Sequence, residues 1–101
     1  MDMNMQSIMA QAQKMQRDMK KKQEEIDTTE FVGKSEWVEV VFYGNKLLKS
    51  ISIKKDQSLD SEEIEALEDM IQVAIKDAMI QIDKTIKEKL GSYADMAGGL
   101  F

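Results

Sequence analysis

The sequence predicts an α+β fold in the order α-β-β-β-α, on three observations. Apolar residues recur at helical spacing before about residue 28 and again after residue 60. The stretch between them shifts towards a period of two, with Val, Ile, Phe, Trp and Tyr enriched. Gly44-Asn45 divides that stretch where a hairpin needs a turn.

The first helix is expected from Met5 to Asp27. Met5, Ala12, Met19 and Ile26 stand seven apart, with Ile8 and Met15 between them, and Met9 adds to the same stripe. This is the a/d pattern of a narrow packing seam, broken where Lys22 takes the next d position. Helix-favouring Gln, Lys and Glu fill the remaining positions.

Three strands follow. Thr29 to Lys34 form the first, and Glu36 to Tyr43 and Lys46 to Lys54 form a hairpin. A two-residue Gly44-Asn45 loop, suited to positive φ, would pair Phe42 with Leu47, Val40 with Lys49 and Val38 with Ile51. One face then carries Val38, Val40, Phe42, Leu47 and Ile51. The other mixes Trp37, Val41, Tyr43 and Leu48 with Glu39, Ser50 and Ser52, too apolar for a wholly solvated face, so a second subunit is a candidate cover.

Asp60 stands three residues before Glu63, the spacing of a capping box, and opens the second helix. Ile64, Leu67, Ile71, Ala74, Ile75, Ala78, Ile82, Ile86 and Leu90 give it a long apolar stripe. Gly91 is the expected stop, and residues 92–101 the expected loose tail of a single domain spanning 1–101. At 1.5 Å per residue the helices should run about 35 and 45 Å, against a radius of gyration near 13 Å for a compact domain of this size. Three short strands cannot cover such stripes. The helices must pair, project, or pack on a second chain.

Composition narrows the function. The 101 residues hold no Cys and no His, which excludes disulfides, thiolate nucleophiles, Ser-His-Asp triads and ordinary zinc sites. Nothing marks a paired carboxylate for acid–base work, so the chain is not expected to be an enzyme or to take a cofactor, metal or small-molecule substrate. No apolar run is long enough to span a bilayer, and Met1 to Met5 lack the basic start and apolar core of a signal peptide. A cytoplasmic protein without a membrane partner is the expectation. The net charge of −5 speaks against a nucleic-acid partner, but its distribution matters more than its sum.

Met9-Ala10-Gln11-Ala12-Gln13-Lys14-Met15-Gln16 resembles the opening of the YbaB/EbfC family of bacterial nucleoid-associated proteins. Tyr43-Gly44-Asn45 through Ser50-Ile51-Ser52-Ile53 resembles that family's hairpin, and Leu67-Glu68-Asp69-Met70-Ile71 with Ala74, Asp77 and Ala78 its Leu-Glu-Asp helix. Three motifs in order cover about residues 9 to 90. The loop Gly33-Lys34-Ser35-Glu36 departs from the pattern by lacking extra glycines. The resemblance implies a homodimer in which the sheets join centrally and the helices project like tweezers. It also implies weakly selective binding of double-stranded DNA in the nucleoid, without catalysis.

Lys14, Arg17, Lys20, Lys21 and Lys22 lie within nine residues, opposed only by Asp18. Lys14, Arg17 and Lys21 line one helix stripe away from the Met seam, a ridge that suits phosphates; a solvated, solubilising face explains the same residues. Lys84, Lys87 and Lys89 form a second candidate patch, which the helix dipole alone also accounts for. Met5, Met9, Met15 and Met19 fit an adaptable partner surface or an ordinary packed face. The acidic block Asp56, Asp60, Glu62, Glu63, Glu65, Glu68 and Asp69 holds no basic residue; it suits a helix start and would repel DNA. Trp37 and Tyr43 lack the interleaved cations of a base-stacking platform. The competing function is a helical protein–protein adaptor whose DNA binding is incidental.

Overall fold

The computed structural model describes residues 5–55 and 57–96. Its elements are α1 (Met5–Thr28), β1 (Glu30–Lys34), β2 (Val38–Tyr43), β3 (Leu48–Ile53) and α2 (Ser61–Met96). The strands form one antiparallel sheet in the order β1-β2-β3. The sequence placed all five elements.

The capping box forms as expected. Glu63 N–H donates to Asp60 Oδ1 at 2.8 Å, and Asp60 N–H donates back to Glu63 Oε1 at 3.3 Å. The far end of α2 differs from expectation. Gly91 does not stop the helix, which runs on to Met96, because a glycine whose Cβ position faces open space costs only propensity there. Residues 97–101 of the expected tail lie outside the described residues.

The hairpin turn also differs. Lys46 N–H closes the turn on Tyr43 C=O at 2.8 Å, Tyr43 N–H reaches Leu47 C=O at 2.9 Å, and Lys46 carries the positive φ of 70°. The loop is therefore Gly44-Asn45-Lys46, a type I turn followed by a left-handed residue. With a further irregularity at Val41/Phe42, the register moves on. Val38 pairs with Ile53, Val40 with Ile51 and Phe42 with Leu48, instead of the expected Ile51, Lys49 and Leu47. Directly paired residues share a face, so Leu48, Ile51 and Ile53 stand on the same side as Val38, Val40 and Phe42.

That side meets α2. Phe31, Val38, Val40 and Phe42 bury against Ala74, Ala78 and Ile82, with Leu67, Ile71, Ile75 and Ile86 partly buried around them. The approach is closest at Gly33, where a Cβ would overlap the Ala74 carbonyl oxygen and stand 2.8 Å from Ala78 N. Side-chain and backbone groups of α2 also take up polar groups of β1 and its following loop. Asp77 Oδ2 accepts from Lys34 N–H at 3.0 Å, Gln81 Nε2 donates to Val32 C=O at 2.8 Å, and Ser35 Oγ donates to Met70 C=O at 2.8 Å. The β1 edge is thus covered. By contrast, the β3 backbone neighbours only β2, with Lys49 reaching across to Glu30 of β1, and every residue from Leu48 to Ile53 is exposed.

Gly44 has a second role. A Cβ there would overlap the carbonyl oxygen of Ile26, and Gly44 N–H bonds Thr29 C=O at 2.9 Å. The hairpin tip therefore seats directly on the C-terminal end of α1. Lys46 Nζ meets Asp83 Oδ1 at 3.1 Å, so α1 arrives at, and α2 departs from, the same corner of the sheet. The helices run antiparallel from that corner, burying Ile26 and Leu90 outside the main core. The result is long: 75 × 20 × 14 Å, with a radius of gyration of 20.2 Å against about 13 Å for a compact chain of similar length.

Candidate nucleic-acid interface

The projecting helix pair forms an arm, and the arm carries both candidate basic patches. On α1, Ile26 is buried and Met15 and Met19 are half-buried, which fixes the face packed on α2. At about 100° per residue, Lys14, Arg17 and Lys21 fall on the side turned away from it. Lys14, Arg17, Lys20, Lys21 and Lys22 are all exposed, while Asp18, the acid among them, is half-buried. On α2, Lys84, Lys87 and Lys89 are exposed beyond the corner at Asp83. Two patches far apart in sequence thus share one structural element.

Pairing among the cations differs between body and arm, although Lys34 and Lys76 on the body also have no ion-pair partner among the described residues. Lys46, Lys49, Lys54 and Lys55 are engaged by Asp83, Glu30, Glu39 and Glu63. These pairs shift the groups they join: Glu30 raises the Lys49 ammonium, and hydrogen bonding to Lys54 holds Glu39 below its ordinary range. On the arm, Lys84 reaches Glu88 only at 4.0 Å. Lys14, Arg17, Lys20, Lys21, Lys87 and Lys89 have no ion-pair partner among the described residues. Their charge remains open to an outside anion.

The densest acidic block lies elsewhere, although the arm has acids of its own in Asp18, Glu24, Glu25, Asp27, Asp83 and Glu88. Asp60, Glu62, Glu63, Glu65, Glu68 and Asp69 open α2, and the 22 residues from Glu62 to Lys84 span about 33 Å of helix. That is several times the Debye length of about 8 Å at physiological salt. The chain is acidic in sum, while its arm sets the cations of the two patches against Asp18, Glu24, Glu25, Asp27, Asp83, Glu88 and Asp95, a slight basic excess.

Other candidates settle into packing. Trp37 is half-buried against the core with Lys55 Nζ 4.2 Å above its ring, and Tyr43 is half-buried. Neither lies on the arm. The methionine stripe divides, since Met15 and Met19 are half-buried while Met5 and Met9 are exposed. The sheet face opposite α2 carries the Lys49–Glu30 and Lys54–Glu39 pairs, which suits solvent better than a covering subunit. The uncovered apolar surface is instead on the α2 side, at Leu48, Ile51 and Ile53. Sequence reasoning placed Ile51 on that face but, with the misplaced register, put Leu48 on the other and Leu47 in its stead. It also missed Lys76, an exposed cation on α2 without an ion-pair partner among the described residues; as a lone lysine it carries no local signal.

A family model described as the YbaB/EbfC DNA-binding family matches residues 1–98. The chain belongs to that family. Its YbaB/EbfC relatives include a nucleoid-associated protein of Lactococcus lactis subsp. lactis, 50% identical over 93 residues, covering 90% of this chain and 93% of the relative. A nucleoid-associated protein of Streptococcus equi subsp. zooepidemicus is 47% identical over 94 residues, covering 91% and 94%. Another, of Ligilactobacillus salivarius, is 41% identical over 100 residues, covering 97% and 95%. The crystal structure of an uncharacterized Helicobacter pylori protein shares the fold with a TM-score of 0.70 at 20% identity, over 86% of this chain and 92% of that one. The YbaB/EbfC assignment agrees with the α-β-β-β-α order. It also gives the unpaired cations of the arm a candidate counter-ion in DNA phosphate. Among the described residues no helix is long and apolar enough to cross a membrane.

Proposed function

We propose that this protein is a homodimer that binds duplex DNA in the bacterial nucleoid by laying its basic arms on the phosphate backbone, with little sequence preference. The observation that carries the reading is the separation of charge. Lys14, Arg17, Lys20, Lys21, Lys87 and Lys89 on the arm lack ion-pair partners among the described residues, while on the body Lys46, Lys49, Lys54 and Lys55 are engaged and Lys34 and Lys76 are not. Each phosphate that Lys14, Arg17, Lys20, Lys21, Lys22, Lys84, Lys87 or Lys89 neutralises releases condensed counterions, and this favours binding despite the negative total. Low specificity follows from the side chains available. Arg17 is the single arginine of the chain, and arginine is the commonest bidentate reader of guanine.

The β3 edge supports the dimer. A bare strand edge beside exposed Leu48, Ile51 and Ile53 would invite uncontrolled pairing if left open. A second β3 would supply the missing hydrogen bonds, cover the shelf and join two sheets into one. Two arms then double the phosphate contacts.

Anisotropy of a labelled duplex across salt concentrations tests this on a sample of known mass. Binding should weaken steeply with salt. Lys14→Gln, Arg17→Gln and Lys21→Gln should each lower the log–log slope by up to about 0.9 for every phosphate the variant no longer neutralises. Negligible affinity at low salt, with a protein recovered on the arm instead, would replace this reading by the adaptor.

A further inference from the structure

The first turns of α1 do something that phosphate binding leaves unused. Every residue from Met5 to Lys14 is exposed, and Met15 is the first to be partly covered. In a chain that is 33% charged, Met5–Gln13 carry no charged side chain. Met5, Ile8 and Ala12 stand on the same face that Met15, Met19 and Ile26 present to α2, with Met9 at its margin, so among the described residues the seam runs past its cover. Met5 is 73%, Ile8 46% and Met9 56% exposed.

We propose that this overhang is a cohesive end: it pairs antiparallel with the same segment of a second copy, and so makes DNA binding cooperative between neighbouring dimers. Three observations favour a second copy as the occupant. The seam continues an interface already formed within the chain, with the same a/d spacing. The partner direction also matches, because α2 lies antiparallel to α1 and a second α1 would continue in the same sense. Finally, the overlap is free of charge, so two basic arms meet without opposed lysines between them, whereas a polyanion would find no cation there.

The contact is small. Nine residues make a strip about 13 Å long and one helix, about 10 Å, wide, well short of the roughly 1,000 Å² of a stable interface. It forms readily only where copies are already concentrated. A duplex does that by turning the encounter into one at an effective concentration of about a millimolar. This consequence rests on the DNA reading above; the contact itself does not.

The test uses the full chain and its Ile8→Gln/Met9→Gln variant, which keeps helix-favouring side chains. The wild type should bind a long duplex with a Hill coefficient clearly above one and a short, single-dimer duplex without cooperativity. The variant should lose the steepness on the long duplex while its short-duplex affinity stays within about twofold. Light scattering without DNA at high protein concentration should show growth beyond the dimer for the wild type and none for the variant. Steepness and growth retained in the variant overturn the proposal, as does a wild type, with or without residues 97–101, that binds long duplexes as independent sites. Absence of binding even to short duplexes at low salt fails the DNA reading instead, and the contact then stands or falls by the light-scattering comparison.

Discussion

Gly33 shows how a single hydrogen in place of a methyl sets the distance between sheet and helix. A Cβ at this position would overlap backbone, the Ala74 carbonyl, rather than the end of a movable side chain. Gly33→Ala should therefore destabilise the fold by about 1–3 kcal/mol, as overpacking does, lowering the urea midpoint. Adding Ala78→Gly removes a neighbouring methyl but leaves the carbonyl in the way, so it should not rescue; full rescue would mean that α2 can slide. Asp60 and Glu63 act at the same scale. Lys55 and the Asp60 amide both hydrogen-bond the Glu63 carboxylate and hold it below its ordinary 4.5. A depressed carboxyl adds stability above its unfolded value, and that contribution is lost as pH falls through the folded one. The helix start should thus weaken on acidification below about pH 4.5, and Asp60→Ala should cost about 1 kcal/mol at neutral pH. Chemical denaturation at pH 7 and pH 3 measures both; an Asp60→Ala variant as stable as the wild type at pH 7 would contradict the capping account.

Among the elements, β3 differs from its neighbours in lacking any cover. Half-exposed Ile51 and Ile53 lose little when the protomer stands alone, so Ile51→Lys/Ile53→Lys should leave the protomer folded by circular dichroism. The same change should halve the mass in light scattering and weaken duplex binding at least tenfold, because two linked arms act at a shared effective concentration. An unchanged mass would place the dimer interface elsewhere. The helices, the strands and the capping box were legible because each rests on local spacing: the Asp60/Glu63 interval and the 3.6-residue stripes need no tertiary knowledge. The hairpin register was not, because Gly44-Asn45 suggested a two-residue loop. The glycine is required by a tertiary contact, the seat of the turn on Ile26, while the positive φ falls to Lys46. The end of α2 was misjudged for a related reason: Gly91 stops a helix only when the chain has cause to turn. At the candidate site the sequence named the cations, and which of them lack ion-pair partners was visible only once the helices were placed.

At the scale of the molecule, which is 75 Å long, about 33 Å of helix separates the acid-rich start of α2 from the first cation of its basic patch. Length is what allows a chain of net charge −5 to attract a polyanion. A compact globule near 13 Å in radius of gyration is only about 34 Å across, so clusters would lie this far apart only at its opposite poles. The prediction is specific to ionic strength. Neutralising the acidic block with Glu62→Gln, Glu65→Gln, Glu68→Gln and Asp69→Asn should raise duplex affinity at 0.01 M salt, where the Debye length is about 30 Å and matches the separation. At 0.15 M, where it is about 8 Å, the same variant should bind as the wild type does. Neutralising Asp18 should instead strengthen binding at both concentrations, since it sits within the cationic stretch itself. Anisotropy titrations at the two salt levels separate these cases. An equal gain for the acidic-block variant at both would mean that α2's first turns lie beside the duplex, and that distance does not keep them apart.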